Sequence, residues 1–233
     1  MDNTPSRSAG PRQPAIRVVL MPKDTNALVS AALCGQAAPD VAHMWHMPGH
    51  TFSALKRYAD AAWQQEAAAR TDHANMIHDR VLPDQIHNYA HNNEWLIRDL
   101  NHVGRVRDAV DLAKNLIELP RHPKFNTLTK GSSSYGRMRL FETLVRYELW
   151  DELIALADTV YLEPTEQTSE QIKRLRALGV AHFHRGNLTP GAQQIAALET
   201  IQQKEPKPAT PAVPAETKPA DGKKVGKSGT APA

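Results

Sequence analysis

The sequence predicts an all-α protein of about four helix-turn-helix units stacked as a helix-pair solenoid, with a disordered tail at each end. Three observations predict it. Between about residues 22 and 204 the chain is rich in Ala, Leu, Glu, Gln and Arg, which favour helix, and poor in β-branched alternation. Four compact turn segments recur along it, at 55–61, 103–109, 146–153 and 184–188. Their anchors Tyr58, Val106, Trp150 and Leu188 are spaced by 48, 44 and 38 residues, in the range of helix-pair repeats.

Taken in order, residues 1–21 are expected to be disordered or extended. The first fourteen are polar and carry Pro5, Pro11 and Pro14, without the charged-then-apolar order of a secretory signal. The apolar stretch 16–21 is too short to serve as one and is interrupted by Arg17. The repeat domain is placed at 22–204. In its first two units a compact turn is followed by an anchor, Tyr58 or Val106. Three residues later a small Ala61 or Ala109 lets the second helix approach the first. The connection 120–134 is expected to be an extended inter-pair loop. Residues 205–233 change to Pro, Ala, Lys, Thr and Gly, too little apolar material for a core, and are expected to be disordered.

Charge and composition exclude several classes. Hydrophobic residues make up 41% and charged residues 23%, so the domain reads as an ordinary globular one. Much of the net charge of +3 sits at Lys204, Lys207, Lys218, Lys223, Lys224 and Lys227, and the interior mixes both signs, which speaks against a nucleic-acid groove. No apolar run reaches about 18 residues, so no membrane span is expected. The lone Cys34 excludes an intramolecular disulfide and reads as a buried apolar filler. With no leader recognisable, a cytoplasmic location is expected; a longer N-terminus would open a periplasmic or exported one.

Counted back from the first turn, Trp45, Gly49, Phe52, Tyr58, Ala61 and Ala68 stand where the tetratricopeptide-repeat family places Trp, Gly, Tyr, Tyr, Ala and Ala. The first unit thus resembles that family, departing from it at Pro48 and His73. The second unit keeps Leu100, Gly104, Ala109 and Ala113, and the last two keep chiefly Trp150 and Gly186. The segments 43–50 (His-Met-Trp-His-Met-Pro-Gly-His) and 83–95 are similar to bacterial, planctomycete-like members with a His-Met-Pro-x-His segment, some joined to redoxin domains. The resemblance spans about residues 38–190. It implies a right-handed solenoid with a concave peptide-binding groove. Without a Cys-x-x-Cys, redox activity does not carry over.

His46, His50, His87, His91 and Glu94 form the constellation with chemical potential. On a helix, His87, His91 and Glu94 share one face, and the i,i+4 histidine spacing suits Zn²⁺, with the carboxylate as a further ligand. His46 and His50 repeat that spacing, with Pro48 expected to disturb it. Side-by-side first helices would let the two clusters meet and hold Zn²⁺, Cu²⁺, Ni²⁺ or Fe²⁺. Met44, Met47 and Met76 nearby read as packing rather than Cu⁺ ligands. The alternative is that His46, His50, His87, Asn88, His91, Asn92, Glu94 and Arg98 line a groove that binds a protein or peptide partner through imidazoles and amides. Trp95 is expected to face away from the histidines.

The segment Gly131–Gly136 lacks the Gly-Lys-Ser/Thr ending of a phosphate loop and reads as a linker and N-cap. Arg137, Arg139, Arg146, Lys173, Arg174 and Arg176 read as a solvated face, or as a docking surface for acidic peptide termini. No His-Glu-x-x-His motif or nucleophile beside a base is found, so no enzyme is expected. The expected function is a protein-interaction scaffold without cofactor. A metal-binding protein, with a divalent transition metal such as zinc, and an accessory domain of a redoxin-type protein are the alternatives.

Overall fold

The computed structural model describes residues 27–86 and 88–204. The two tails expected to be disordered, and His87, lie outside the described residues. The described chain is all-α: α1 (Ala27–Ala37), α2 (Ala42–Ala54), α3 (Tyr58–Asp79), α4 (Tyr89–His102), α5 (Val106–Glu118), α6 (Ser132–Arg146), α7 (Trp150–Ala155), α8 (Thr168–His184) and α9 (Leu188–Lys204). A single 3-10 turn, Pro83–Gln85, precedes α4. Each helix packs on the next in sequence.

All four expected turns occur, and the backbone makes them the same way. Lys56, Gly104, Glu148 and Gly186 each adopt a left-handed conformation, with φ of 61°, 80°, 54° and 76°. Around each, the next N–H reaches back five residues: Arg57 to Phe52, Arg105 to Leu100, Leu149 to Leu144 and Asn187 to His182, at 2.8–3.0 Å. The left-handed residue itself donates three back, to Ser53, Asn101, Val145 and Phe183. These are the paired bonds of a Schellman cap, which satisfies the last carbonyls of one helix while reversing the chain into the next. The small residue that follows is buried as expected, with Ala61 and Ala109 fully inaccessible.

Contacts between successive pairs also keep register. Ser53 donates to Asp99 at 3.1 Å, and Asn101 donates to Thr143 at 2.8 Å; donors and acceptors hold equivalent places before their turns. Tyr58 stacks on His102 and Trp150 on His184, again at equivalent places. One apolar core runs from α4 to α8 through Ile97, Leu116, Leu140, Leu144, Leu153 and Leu162.

The pairs depart from uniformity where their sequences do. The connection between α5 and α6 is extended, as expected, and holds two isolated bridges, His122 with Asn126 and Thr127 with Lys130. It also caps α6. Asp84 accepts from the Ser132 N–H at 2.8 Å, and Asn126 accepts from the Ser133 N–H at 2.8 Å. The segment Gly131–Gly136 is therefore a helix start, with Gly131 at its N-cap and the caps supplied from outside it.

Helix α7 is only six residues long, and residues 156–167 continue as loop. Two arginines hold that loop: Arg137 donates to the Glu163 carbonyl at 2.6 Å, and Arg174 to those of Leu162 and Ala157 at 2.7 and 2.8 Å. Both are buried, which corrects the solvated-face expectation for these two residues. Guanidinium groups offer five donors in a fixed fork, suited to carbonyls that no helix satisfies. No described helix is long and apolar enough to cross a membrane.

Candidate functional site

Helices α2 and α4 place the histidines. Pro48 removes one backbone donor from α2, yet the helix runs on through it, with Pro48 buried inside. His46 and His50 therefore stay one turn apart on one side, their Nε2 atoms 2.7 Å apart, contrary to the expected disturbance. His91 on α4 comes in from the neighbouring pair. Its ring centroid lies 4.9 Å from that of His46 and 6.3 Å from that of His50. One ring nitrogen from each of His46, His50 and His91 lies within 4.8 Å of the other two. The expected meeting of two clusters thus takes place through these three.

Each ring has a fixed setting. His46 is 2% exposed, and its Nδ1 lies 2.7 Å from Gln65 Oε1. An amide oxygen only accepts, so His46 carries its proton on Nδ1 and presents a bare Nε2. The Gln65 amide in turn donates to the His46 carbonyl at 3.2 Å. Gly49 makes this approach possible, since a Cβ there would sit 2.2 Å from the Gln65 amide nitrogen. With His46 Nε2 as acceptor, His50 is the donor across the 2.7 Å contact. Burial pushes the His46 pKa down to about 4, with help from neighbouring His50 and against the Gln65 hydrogen bond. Burial, then His91 and Arg98, hold His50 below the usual imidazole range. Both are neutral at pH 7.

Behind His91 stands Glu94, whose Oε2 lies 3.4 Å from His91 Nδ1, close but not aligned as a hydrogen bond. Arg139 of α6 grips the same carboxylate and also Glu142. Burial raises the Glu94 pKa, but His91 and Arg139 outweigh it and hold the carboxylate below its ordinary range. Glu94 is thus held by Arg139 and supports His91, a correction to its expected role as a ligand.

The other expected residues separate. Asn88 is half-buried just before α4, and His87 lies outside the described residues. Asn92 is 0% exposed and donates to Asp72 at 2.7 Å; with Glu94 and His46 it is too buried to line a groove. The amphipathic pattern of α4 puts its polar residues against α3 and α6 instead of solvent. Trp95 does not face away: it meets His50 edge-on at 4.2 Å, and Arg98 lies over its ring at 4.4 Å. A tryptophan spans enough surface to reach around a helix face that spacing alone assigns elsewhere. Cys34 is buried beside Met44, and burial raises its pKa, so it is packing as expected.

Sequence reasoning missed Gln65, Asp72 and Asp99 and placed Arg139 on a solvated face, because their roles depend on contacts between distant segments. Asp72 and Asp99 are buried carboxylates whose pKa values burial raises to about 6, against the hydrogen bonds from Asn92 and Ser53. A group that binds protons more tightly when folded stabilises at low pH, and that contribution is lost as pH rises from about 4 to about 6. His46 acts in the opposite sense, losing stability as pH falls from 6.5 towards 4. Asp99→Asn keeps an acceptor for Ser53 and removes the buried charge. It is expected to be near neutral at pH 4 and stabilising by about 2 kcal/mol at pH 8. Urea unfolding of both chains at the two pH values checks this; equal effects at both would dismiss the carboxylate.

Searches for family models, curated proteins and solved structures similar to this chain found no match.

Proposed function

We propose that the protein is an interaction scaffold of the tetratricopeptide-like, right-handed solenoid type, and that it takes an acidic peptide segment across the ends of α4 and α6. The observation that carries this reading is a pair of cations without anionic partners. Among the described residues, Arg80, Arg98, Arg137, Arg146 and Arg176 are the arginines in no ion pair, and of these Arg98 and Arg146 act together on one group, His102. Both lie near His102, whose pKa is held down by burial and then by Arg146 and Arg98. Stacking on Tyr58, with ring centroids 3.9 Å apart, fixes that imidazole. A ledge with two unmatched guanidinium groups suits carboxylates, which arginine binds bidentately. Repetition of one turn and one inter-pair contact supports the solenoid reading, since such stacks offer extended surfaces to partners.

Fluorescence anisotropy with labelled Glu/Asp-rich, neutral and Lys-rich peptides tests the proposal. The acidic peptides are expected to bind preferentially and to weaken on raising salt. The Arg98→Glu, Arg146→Glu double variant is expected to lose at least about tenfold in affinity with unchanged circular dichroism. Affinity indifferent to peptide charge, or to the double variant, would sink the reading.

A further inference from the structure

We propose that His46, His50 and His91 form a binding site for one divalent transition-metal ion, with zinc as the reference ion. The inference stands on the geometry of the three rings and does not depend on the peptide-binding reading. Three imidazoles from two helices converge with one nitrogen each inside a 4.8 Å span, and His46 is buried at its base. Three protein nitrogens with a further position left for water or another ligand make a common open zinc set.

The contact between His46 and His50 points the same way. Their Nε2 atoms face each other at 2.7 Å, so a single proton bridges two ring nitrogens. A metal at about 2.0–2.1 Å from each nitrogen needs them roughly 3.3 Å apart in a tetrahedral set. The pair must open by roughly 0.6 Å to admit it, a rotation within reach of the half-buried His50. Binding then displaces the bridging proton, which passes by way of solvent to His50 Nδ1, so that His50 coordinates through Nε2 as a neutral imidazole.

The outer contacts favour the ligating forms. Gln65 Oε1 fixes the His46 proton on Nδ1, leaving Nε2 free to coordinate. Glu94, held by Arg139, stands 3.4 Å from His91 Nδ1 and favours a proton on that nitrogen, which leaves Nε2 as the donor. Amide and carboxylate partners behind ligand imidazoles are the usual means of orienting them and raising their basicity. The nitrogen-only donor set suits Zn²⁺, Co²⁺, Ni²⁺ and Cu²⁺, and lacks the oxygen ligands that Mg²⁺ and Ca²⁺ need.

The test uses the full chain without a histidine tag, stripped by chelator and titrated with Zn²⁺ by calorimetry and with Co²⁺ by visible absorption. One ion per chain is expected, with the intense visible bands of four- or five-coordinate Co²⁺. Because His46→Ala threatens the core, His50→Ala and His91→Ala are the informative variants, with exposed His73→Ala as the control. Each of the first two is expected to weaken Zn²⁺ at least tenfold while leaving the metal-free Tm within a few degrees, and His73→Ala to change nothing. Absence of stoichiometric binding, or binding that survives both variants, overturns the site. Peptide affinity measured on the same stripped chain keeps a failure here distinct from a failure of the scaffold reading.

Discussion

Replacing Arg139 with methionine is expected to destabilise the fold by about 3–5 kcal/mol at pH 7, among the largest effects of any single side chain here. The Arg139 and Glu94 side chains are 13% and 5% exposed, so water cannot replace either partner. Without Arg139, burial dominates Glu94 and the carboxylate is left unmatched in a poorly solvating site. The loss should shrink as pH falls, because a protonated Glu94 needs no cation. Removing both charges, Glu94→Gln with Arg139→Met, is expected to recover much of the stability, as replacing a buried pair by neutral groups often does. Denaturant unfolding across the double-mutant cycle measures the coupling. A loss under about 1 kcal/mol for the single variant, or no dependence on pH, would mean that the pair is effectively solvated.

The same pair shows where legibility in the sequence stops. The four turns could be read because each leaves a local mark: an anchor residue after a compact turn, with glycine at 104 and 186 and a small alanine at 61 and 109. Their caps and inter-pair contacts then follow from one backbone geometry repeated. Helix α1 left no such mark, since its Ala, Gly and Cys residues give no apolar stripe to separate from the rest. At the histidines, spacing alone identified His46, His50, His87, His91 and Glu94 as able to meet, because i,i+4 pairs and side-by-side helices are local and repetitive facts; His46, His50 and His91 do. It could not show that Asn92 and Glu94 turn inward, because their partners Asp72 and Arg139 lie 20 and 45 residues away. Periodicity separates polar from apolar residues, but a polar residue buried against a distant partner looks like a solvent-facing one.

Gly136 and Gly179 give this distinction an opposite-sign test. Both lie inside helices, α6 and α8, where propensity alone predicts that alanine stabilises by about 1 kcal/mol. At Gly179 the structure agrees: a Cβ would meet only Gln194 Cβ, at 3.5 Å, an ordinary contact. Gly179→Ala is therefore expected to stabilise by about 0.5–1 kcal/mol. At Gly136 a Cβ would lie 2.7 Å from the Ala113 carbonyl, 2.8 Å from Ile117 Cγ1 and 2.9 Å from Leu116 Cβ. All three belong to α5, and the nearest is backbone, so no side-chain rotation relieves the clash; the two helices must move apart. Separating α5 from α6 disturbs the core around the fully buried Leu116, Ile117 and Leu140. Gly136→Ala is accordingly expected to destabilise by about 2–3 kcal/mol, the upper range for one methyl forced into a packed interface. Paired urea denaturation curves decide it. If both variants stabilise, α5 and α6 do not approach as closely as described; opposite signs would establish that packing at Gly136 overrides helix propensity.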